Sequence, residues 1–194
     1  MSLRFAQESD IPRILEIYKP YVEQTTVTFE YETPTADVFL GRFREITERF
    51  PFLVWEEEGR VLGYAYACLP FSREAYRWLA EPSIYLDWEV RGRGIGKKLY
   101  TALEDILRLL GYRLSYALIT SENEASLRFH EALGYRVLAH FPGCAYKMGR
   151  QLGVTWMEKI LISAEMPSNF PKPFPSFVEN IENFTKILDI LSLS

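Results

Sequence analysis

Apolar residues recur along this chain at two spacings, and each change of spacing marks a predicted strand or helix. From 95 to 110 they follow the helical period of about 3.6 residues, and Gly111 just behind them is a favourable helix end. Two apolar runs at 52–57 and 60–69 are joined by Glu-Gly, which indicates a β-hairpin. The full pattern predicts strands at 3–6, 52–57, 60–69, 83–88, 114–120, 135–141 and 154–162, and helices from residue 9 or 10 to about 21 and at 35–49, 73–79, 95–110 and 121–133.

This order predicts a mixed α/β layer fold within residues 1–162. Prolines at 167, 171, 173 and 175 then indicate an extended linker. Behind the linker, apolar residues at helical spacing predict an amphipathic helix, which must bury its stripe on the domain or on a partner. We therefore divide the chain into a domain at 1–162 and a Pro-rich linker with a C-terminal amphipathic helix at 163–194. The stripe consists of Phe177, Ile181, Phe184, Ile187, Leu188 and Leu191.

A glycine-rich run, Arg-Gly-Arg-Gly-Ile-Gly-Lys-Lys at 91–98, separates the predicted strand 83–88 from the helix that follows. Such a turn brings unpaired backbone N–H groups and the positive end of a helix to one point, which suits a phosphate. The run has no Gly-Lys-Ser/Thr ending, so it is not a P-loop, and Lys97 stands where a dinucleotide fingerprint has its third glycine. It fits R-x-x-G-x-G instead, read as Arg91, Gly94 and Gly96; a solvated basic turn is the alternative.

Composition and charge narrow the classes of function. The chain has 194 residues, 48% of them hydrophobic, and a formal net charge of −4, which argues against a general nucleic-acid binder. No apolar run approaches the roughly 20 residues of a membrane span. Cys68 and Cys144 lie in unrelated contexts, so neither a disulfide nor a metal site is expected. We expect a cytoplasmic protein that binds neither nucleic acid nor membrane.

Several motifs together resemble one acetyltransferase family. Besides the glycine run, they are Thr-Val-Thr-Phe at 26–29, the segment 73–78 followed by Glu81, Ser-Leu-Arg-Phe-His-Glu-Ala-Leu-Gly-Tyr at 126–135, and Val-Thr-Trp-Met-Glu-Lys at 154–159. They are similar to the phosphinothricin and methionine sulfoximine acetyltransferase family of the GNAT superfamily, over roughly residues 3–162.

The resemblance implies a GNAT (acyl-CoA N-acyltransferase) fold, an α/β arrangement with a mixed, mostly antiparallel central sheet flanked by helices. It implies an enzyme that moves an acetyl group from acetyl-CoA to the α-amine of a small amino-acid-like acceptor. It also implies a homodimer, since dimers are common in the family. Acetyl-CoA serves as co-substrate, and no metal is expected.

Two residues are candidate proton-transfer groups. An amino acid's amine is mostly protonated at neutral pH, so a base must take its proton. The resemblance places Glu81 and His130 at the site. A solvated carboxylate before Pro82 and a satisfied helix histidine remain the structural alternatives. Helical spacing puts His130 on one face with Asn123 and Ser126, beside an apolar stripe, which favours a functional face. Which of the two residues is the base and which the acid stays open.

The resemblance also implies the binding residues. The strand before the glycine loop would offer its backbone to the pantetheine arm, or could be a plain core strand. Arginine suits a carboxylate or phosphinate, and aromatic rings could wall the aliphatic part of the acceptor. The acceptor candidates are Phe29, Arg73 and Tyr76. The coenzyme candidates are Ile84, Tyr85, Leu86, Arg91, Gly92, Arg93, Gly94, Ile95, Gly96, Lys97, Asn123 and Ser126.

The sequence departs from the family at one turn near the acceptor end. The usual Lys-His-Gly-x-Trp reads Lys-Met-Gly-Arg-Gln at 147–151, which leaves the acceptor open. Two other functions remain: acetylation of a protein or peptide amine, and a non-catalytic acyl-CoA-binding sensor. Retention of Glu81 and His130 argues against the sensor. Neither cysteine lies in an activating motif, so direct transfer without an acetyl-enzyme is predicted.

Overall fold

A seven-stranded sheet forms the centre of the structure, a computed structural model that describes residues 2–163 and 169–193. Helices cover both of its faces. No helix in these residues is long and apolar enough to cross a lipid bilayer. The strands are β1 (Ser2–Phe5), β2 (Phe52–Glu57), β3 (Arg60–Cys68), β4 (Leu79–Leu86), β5 (Leu114–Thr120), β6 (Arg136–Lys147) and β7 (Arg150–Ile160). The helices are α1 (Ile11–Gln24), α2 (Ala36–Thr47), α3 (Ile95–Leu110), α4 (Glu124–Ala132), α5 (Phe174–Val178) and α6 (Ile181–Leu193).

The sheet has the strand order β1-β2-β3-β4-β5-β7-β6. Its neighbours pair antiparallel, except that β4 and β5 run parallel. The expectation of a mixed, mostly antiparallel sheet flanked by helices is therefore confirmed. Strand β6 lies at one edge and carries several exposed apolar side chains.

Alternation along the strands sends side chains to two cores. In β2, Val54 joins α1 and α2 on one face of the sheet, whereas Leu53 joins α3 on the other. Leu99 and Leu103 of α3 are fully buried on that second face. Gly111 ends α3 in the left-handed conformation, with φ of +97°, as the sequence predicts.

The structure corrects several predicted elements. The predicted helix at 73–79 is only a 3₁₀ turn, Glu74–Tyr76. Strand β4 begins at Leu79 and not at residue 83, so it includes Pro82. A proline cannot donate a hydrogen bond to a neighbouring strand, but here none is needed, because β5 pairs with β4 only at Leu79 and Ala80. The last two strands form a much longer hairpin than predicted, since a bulge between Phe141 and Ala145 lets pairing resume.

The C-terminal segment packs on the α3 side of the domain as two helices, α5 and α6, where one was predicted. Phe177 and Ile187 are buried in the same core as α3. The backbone N–H of Lys172 donates to Leu110 O at 2.9 Å. The linker proline Pro167 lies outside the described residues, and the domain boundary at 162 stays a prediction.

We expect Ile187→Ala to lower the free energy of unfolding by about 2–5 kcal/mol, because it removes a fully buried side chain. Urea denaturation monitored by circular dichroism measures the change. Leu188→Ala is the matched control, since Leu188, which the sequence analysis placed in the buried stripe, is 46% exposed in the structure. Equal stability of the two variants would contradict the packing of α6 on the domain.

Candidate active site

The site begins where β4 and β5 separate. Their ladder contains two residue pairs, Leu79 with Leu114 and Ala80 with Ser115, and stops there. Strand β4 continues to Leu86 with β3 on one side only. Its backbone on the other side faces a cleft of about 390 Å³ and can bond an extended ligand as a neighbouring strand would.

The far end of this open edge is closed by a tyrosine that the sequence analysis missed. The hydroxyl of Tyr21 donates to Leu86 O at 2.6 Å and lies 3.2 Å from Leu86 N, which donates to it. Tyr21 follows the apolar stripe of α1, so its spacing indicates only a core residue. The open part of β4 therefore runs from Glu81 to Tyr85.

The glycine loop leads into α3 beside this edge. Gly92 and Gly94 have φ of +79° and +80°, a region that favours glycine. Gly94 is the residue before α3 and has no side chain to cap the helix, so the first N–H groups of α3 stay open to an anion. A Cβ on Gly94 would meet nothing within 4 Å, which leaves space for a ligand.

Close packing brings α3 up to β4. A Cβ on Gly96 would lie 3.2 Å from Leu86 Cδ1, so only glycine fits without a shift of that side chain. The side chain of Ile95 is buried in the core, and only its backbone can reach a ligand.

The basic side chains of the loop point in different directions. The guanidinium of Arg91 lies 4.7 Å from the Trp88 ring centre and lines the cleft. Arg93 instead donates to the carboxylate of Glu57 at 2.8 Å on the surface. Lys97 is exposed.

The N-terminus of α4 forms the opposite wall. Asn123 Oδ1 accepts from Ser126 N at 3.1 Å and caps the helix. Both residues line the cleft, as does His130 one turn further along. The three residues for which helical spacing predicts a shared face therefore all line one cleft.

Glu81 lies on β4 directly after the last pair with β5 and lines the cleft. Alternation places it on the face of β4 that also carries Ser83 and Tyr85, against which α1 and α2 pack. Burial raises the pKa of the Glu81 carboxyl above its usual range. A carboxylate with a raised pKa is a better base at neutral pH.

His130 lies on the opposite face of the sheet, among the rings of Tyr100, Phe129 and Tyr135. Its Nδ1 is 2.8 Å from Ser126 O, a group that can only accept, so Nδ1 carries a proton. Its Nε2 is 3.1 Å from Tyr100 Oη. Burial lowers the pKa of His130, against the opposing effect of the hydrogen bond to Ser126 O, and the Lys159 charge adds to the lowering, which favours the neutral ring at pH 7.

Tyr100 continues this contact into a buried chain of hydroxyls. Its Oη is 3.1 Å from Tyr135 Oη, which is 2.5 Å from Ser115 Oγ. The chain ends beside Ser115, where β5 pairs with β4. It fixes the orientation of the His130 ring.

The acceptor candidates lie outside this cleft. Phe29 is 39% exposed in the loop after α1, which is tied to the sheet where Lys147 Nζ donates to Thr28 O at 2.7 Å. Arg73 precedes the 3₁₀ turn and has no carboxylate partner among the described residues. Tyr76 closes that turn.

An aromatic cluster that the sequence analysis missed surrounds Tyr76. Phe71 lies 4.6 Å from Tyr76 and 5.8 Å from Trp156, measured between ring centres. Phe141 lies 5.7 Å from Trp156. Phe71 and Tyr76 lie far in sequence from Phe141 and Trp156, so no local motif could have identified the cluster.

A split central sheet, a glycine loop at a helix N-terminus and a half-buried carboxylate at the point of splitting define an acyl-CoA-dependent transferase fold. The family model described as acetyltransferase (GNAT) domain matches residues 3–156. This chain belongs to that family, as its motifs predict.

Named relatives agree with this assignment. L-amino acid N-acyltransferase MnaT of Escherichia coli is 38% identical over 159 residues, 81% of this chain and 92% of the relative. L-methionine sulfoximine/L-methionine sulfone acetyltransferase of Salmonella typhimurium is 36% identical over 160 residues, 81% of this chain and 93% of the relative. The structure of a phosphinothricin acetyltransferase from Sinorhizobium meliloti in complex with AcCoA has a TM-score of 0.82 and 36% identity, covering 90% of this chain and 95% of that one.

Proposed function

We propose that this protein is an N-acetyltransferase that moves an acetyl group from acetyl-CoA to the α-amine of a small amino-acid-like acceptor of the phosphinothricin or methionine sulfoximine type. One observation carries the proposal: the ladder between β4 and β5 ends at Ala80, and a carboxyl with a raised pKa follows at once in Glu81. Relatives of this chain are named for acetylation of such acceptors.

The chain's residues fit the coenzyme at three places. The amides of 91–96 would hold the pyrophosphate, where Gly94 leaves open space. The free edge of β4 around Ile84 would pair with the pantetheine arm, with Tyr85 beside it, whereas the backbone of Leu86 is already bonded to Tyr21. Asn123 and Ser126 would contact the same arm from α4.

Glu81 is the proposed base. Acetyl-CoA supplies the thioester carbonyl, which the acceptor nitrogen attacks as the C–N bond forms and the C–S bond breaks. Glu81 takes the proton that the amine loses, directly or through one water molecule. The departing sulfur is left as a thiolate and needs a proton.

His130 is the proposed proton donor to that thiolate, or a second base. It lies on the α3 side of the cleft, where the glycine loop would hold the coenzyme. Its Nδ1 proton is committed to Ser126 O and its Nε2 lies against Tyr100 Oη, so His130 can give a proton from Nε2 only in its charged form, which burial disfavours. This arrangement favours Glu81 as the residue with the larger effect on turnover.

The acceptor is proposed to lie between Phe29, Arg73 and Tyr76. Arg73 has no carboxylate partner among residues 2–163 and 169–193, and its guanidinium suits the acceptor's own carboxylate. The rings of Phe29 and Tyr76 suit its aliphatic part.

Direct transfer is proposed because the nearest thiol is unreactive. Cys68 pairs with Glu81 across β3 and β4, and burial raises the pKa of its thiol to about 12. A thiol with so high a pKa forms little thiolate at neutral pH. Both cysteines are free, which suits the reducing cytoplasm where we propose the enzyme works.

A homodimer is proposed from the edge strand β6. Val137, Leu138, Phe141 and Tyr146 on this strand are each at least 45% exposed. A long apolar edge strand invites pairing unless it is covered. A second copy of the chain is the occupant we propose.

The function is tested by release of the coenzyme's thiol from acetyl-CoA. We expect fast release with phosphinothricin or methionine sulfoximine and slow release with a peptide amine. Faster release with the peptide would favour protein acetylation, and coenzyme binding without release in any assay would favour a sensor.

We expect Gly94→Ala to weaken acetyl-CoA binding at least about tenfold, because a side chain in the left-handed region costs roughly 1–2 kcal/mol and the new Cβ enters the space of the pyrophosphate. Isothermal calorimetry measures the affinity. Gly111→Ala is the control, since it imposes the same strain at the other end of α3, with φ of +97°. Unchanged affinity in Gly94→Ala would refute the loop assignment.

We expect Glu81→Gln to lower kcat about 10²–10⁴-fold with little change in acetyl-CoA affinity, since a positioned base contributes that much. Because burial raises its pKa, Glu81 becomes protonated as pH falls at a higher pH than an ordinary carboxyl does, and kcat falls with it. Glu81→Gln should lose this acidic limb, and exposed Glu89→Gln should keep it. A wild-type profile and rate in Glu81→Gln would exclude Glu81 as the base.

We expect light scattering to give a mass twice the 22.6 kDa of one chain at micromolar concentration. Leu138→Lys should yield monomers, because it places a charge in the apolar edge of β6. Val38→Lys, at an exposed apolar position on α2, should leave the dimer intact. A monomeric wild-type protein would exclude the dimer.

A further inference from the structure

The C-terminal segment lies outside the family match, which ends at residue 156. Its helices are held by the core, with Phe177 and Ile187 buried against α3. Phe170, which precedes these two helices, instead makes contacts on the surface of the domain. Phe170 is 54% exposed, so its side chain adds little to the core.

Phe170 packs on two consecutive residues of the connection between β3 and β4. Its ring stacks on Trp78 with 5.2 Å between centres and 23° between planes. The guanidinium carbon of Arg77 lies 5.4 Å from the centre of the Phe170 ring. Offset stacking and a cation over a ring each stabilise such a contact.

Arg77 and Trp78 lie between the acceptor candidates Arg73 and Tyr76 and strand β4, which carries Glu81. Arg77 N donates to Glu74 O at 3.0 Å, and Tyr76 N donates to Arg73 O at 3.0 Å, so the 3₁₀ turn and Arg77 form one unit. Trp78 leads directly into β4, three residues before Glu81.

The connection between β3 and β4 makes few other contacts with the rest of the described structure. Residues 72–76 are all exposed. On the far side of the turn, Phe71 contacts Tyr76 and Trp156. On the near side, the Trp78 carbonyl accepts from Arg113 N at 2.9 Å, which holds the backbone but not the side chains of the turn.

We propose that Phe170 is a positioning residue, through which the C-terminal segment holds the β3–β4 connection and sets the affinity of the site for its acceptor. The proposal rests on the proposed function, which assigns Arg73 and Tyr76 to the acceptor. Phe170 itself does not line the coenzyme cleft; it acts through Arg77 and Trp78.

Steady-state kinetics with phosphinothricin or methionine sulfoximine test the proposal. Phe170→Ala should raise the acceptor KM about three- to tenfold, the loss expected for one aromatic contact, with kcat and the acetyl-CoA KM unchanged. Phe170→Tyr keeps the stacked ring and should restore the wild-type KM.

Phe174→Ala is the matched control. Phe174 belongs to the same segment but packs on Phe5, at 4.9 Å between ring centres, away from the connection. The Phe174→Ala variant should have a lower melting temperature than the wild type and an unchanged acceptor KM. An equal rise of KM in both variants, or an unchanged KM in Phe170→Ala, would overturn the proposal.

A second measurement does not depend on activity. Trypsin cleaves after arginine, and mass spectrometry can follow cleavage after Arg73 and Arg77 in the native protein. Phe170→Ala should accelerate this cleavage, and Phe174→Ala should not. If the wild-type enzyme acetylates neither acceptor, the proposed function fails while faster cleavage still supports the positioning role; unchanged cleavage overturns it.

Discussion

The arrangement of this protein depends on the early end of one β-ladder. Strands β4 and β5 share two residue pairs, and from that point a central strand has a free edge inside the molecule. Backbone groups buried without partners are costly, so this edge is stable only where a ligand or water can bond it. The same separation places Glu81 at the inner end of the cleft and leaves room for the glycine loop at the outer end.

Contacts on both sides keep the gap open. On the α3 face, Gly96 lets the helix lie close to Leu86, and the hydroxyl chain from His130 to Ser115 runs beneath α4. On the other face, Tyr21 occupies the end of the free edge. A buried polar chain with every member bonded favours one orientation of its groups. The position of His130 therefore depends on Tyr100 as much as on its own helix.

Structural features that depend on residues close together in sequence were mostly predicted, whereas contacts between residues far apart in sequence were not. The glycine loop, α3 and its glycine end follow from spacing within 91–111, whereas the helix predicted from residue 121 begins at Glu124, behind the cap Asn123. That β4 would offer its backbone to the pantetheine arm was implied only by the family resemblance, since a strand carries no local mark of a missing neighbour. The predicted start of β4 is too late because a proline argues against a central strand, and the sequence does not show that β5 is missing beside Pro82. Tyr21 looked like core, and the stacking of Phe170 on Trp78 joins residues about ninety positions apart.

The short ladder also divides the sheet mechanically. Strands β1 to β4 form one half and β5, β7 and β6 the other, joined edge to edge by two residue pairs. Helix α3 spans the junction, with Leu99 and Leu103 in the core of the first half and Tyr100 in that of the second. The helix therefore packs against both halves, and interiors this densely packed respond to changes in side-chain volume. The width of the cleft between β4 and β5 thus depends on the packing of the hydrophobic core. A change of side-chain volume along α3 would shift the positions of Glu81 and His130 without replacing any residue that contacts a ligand.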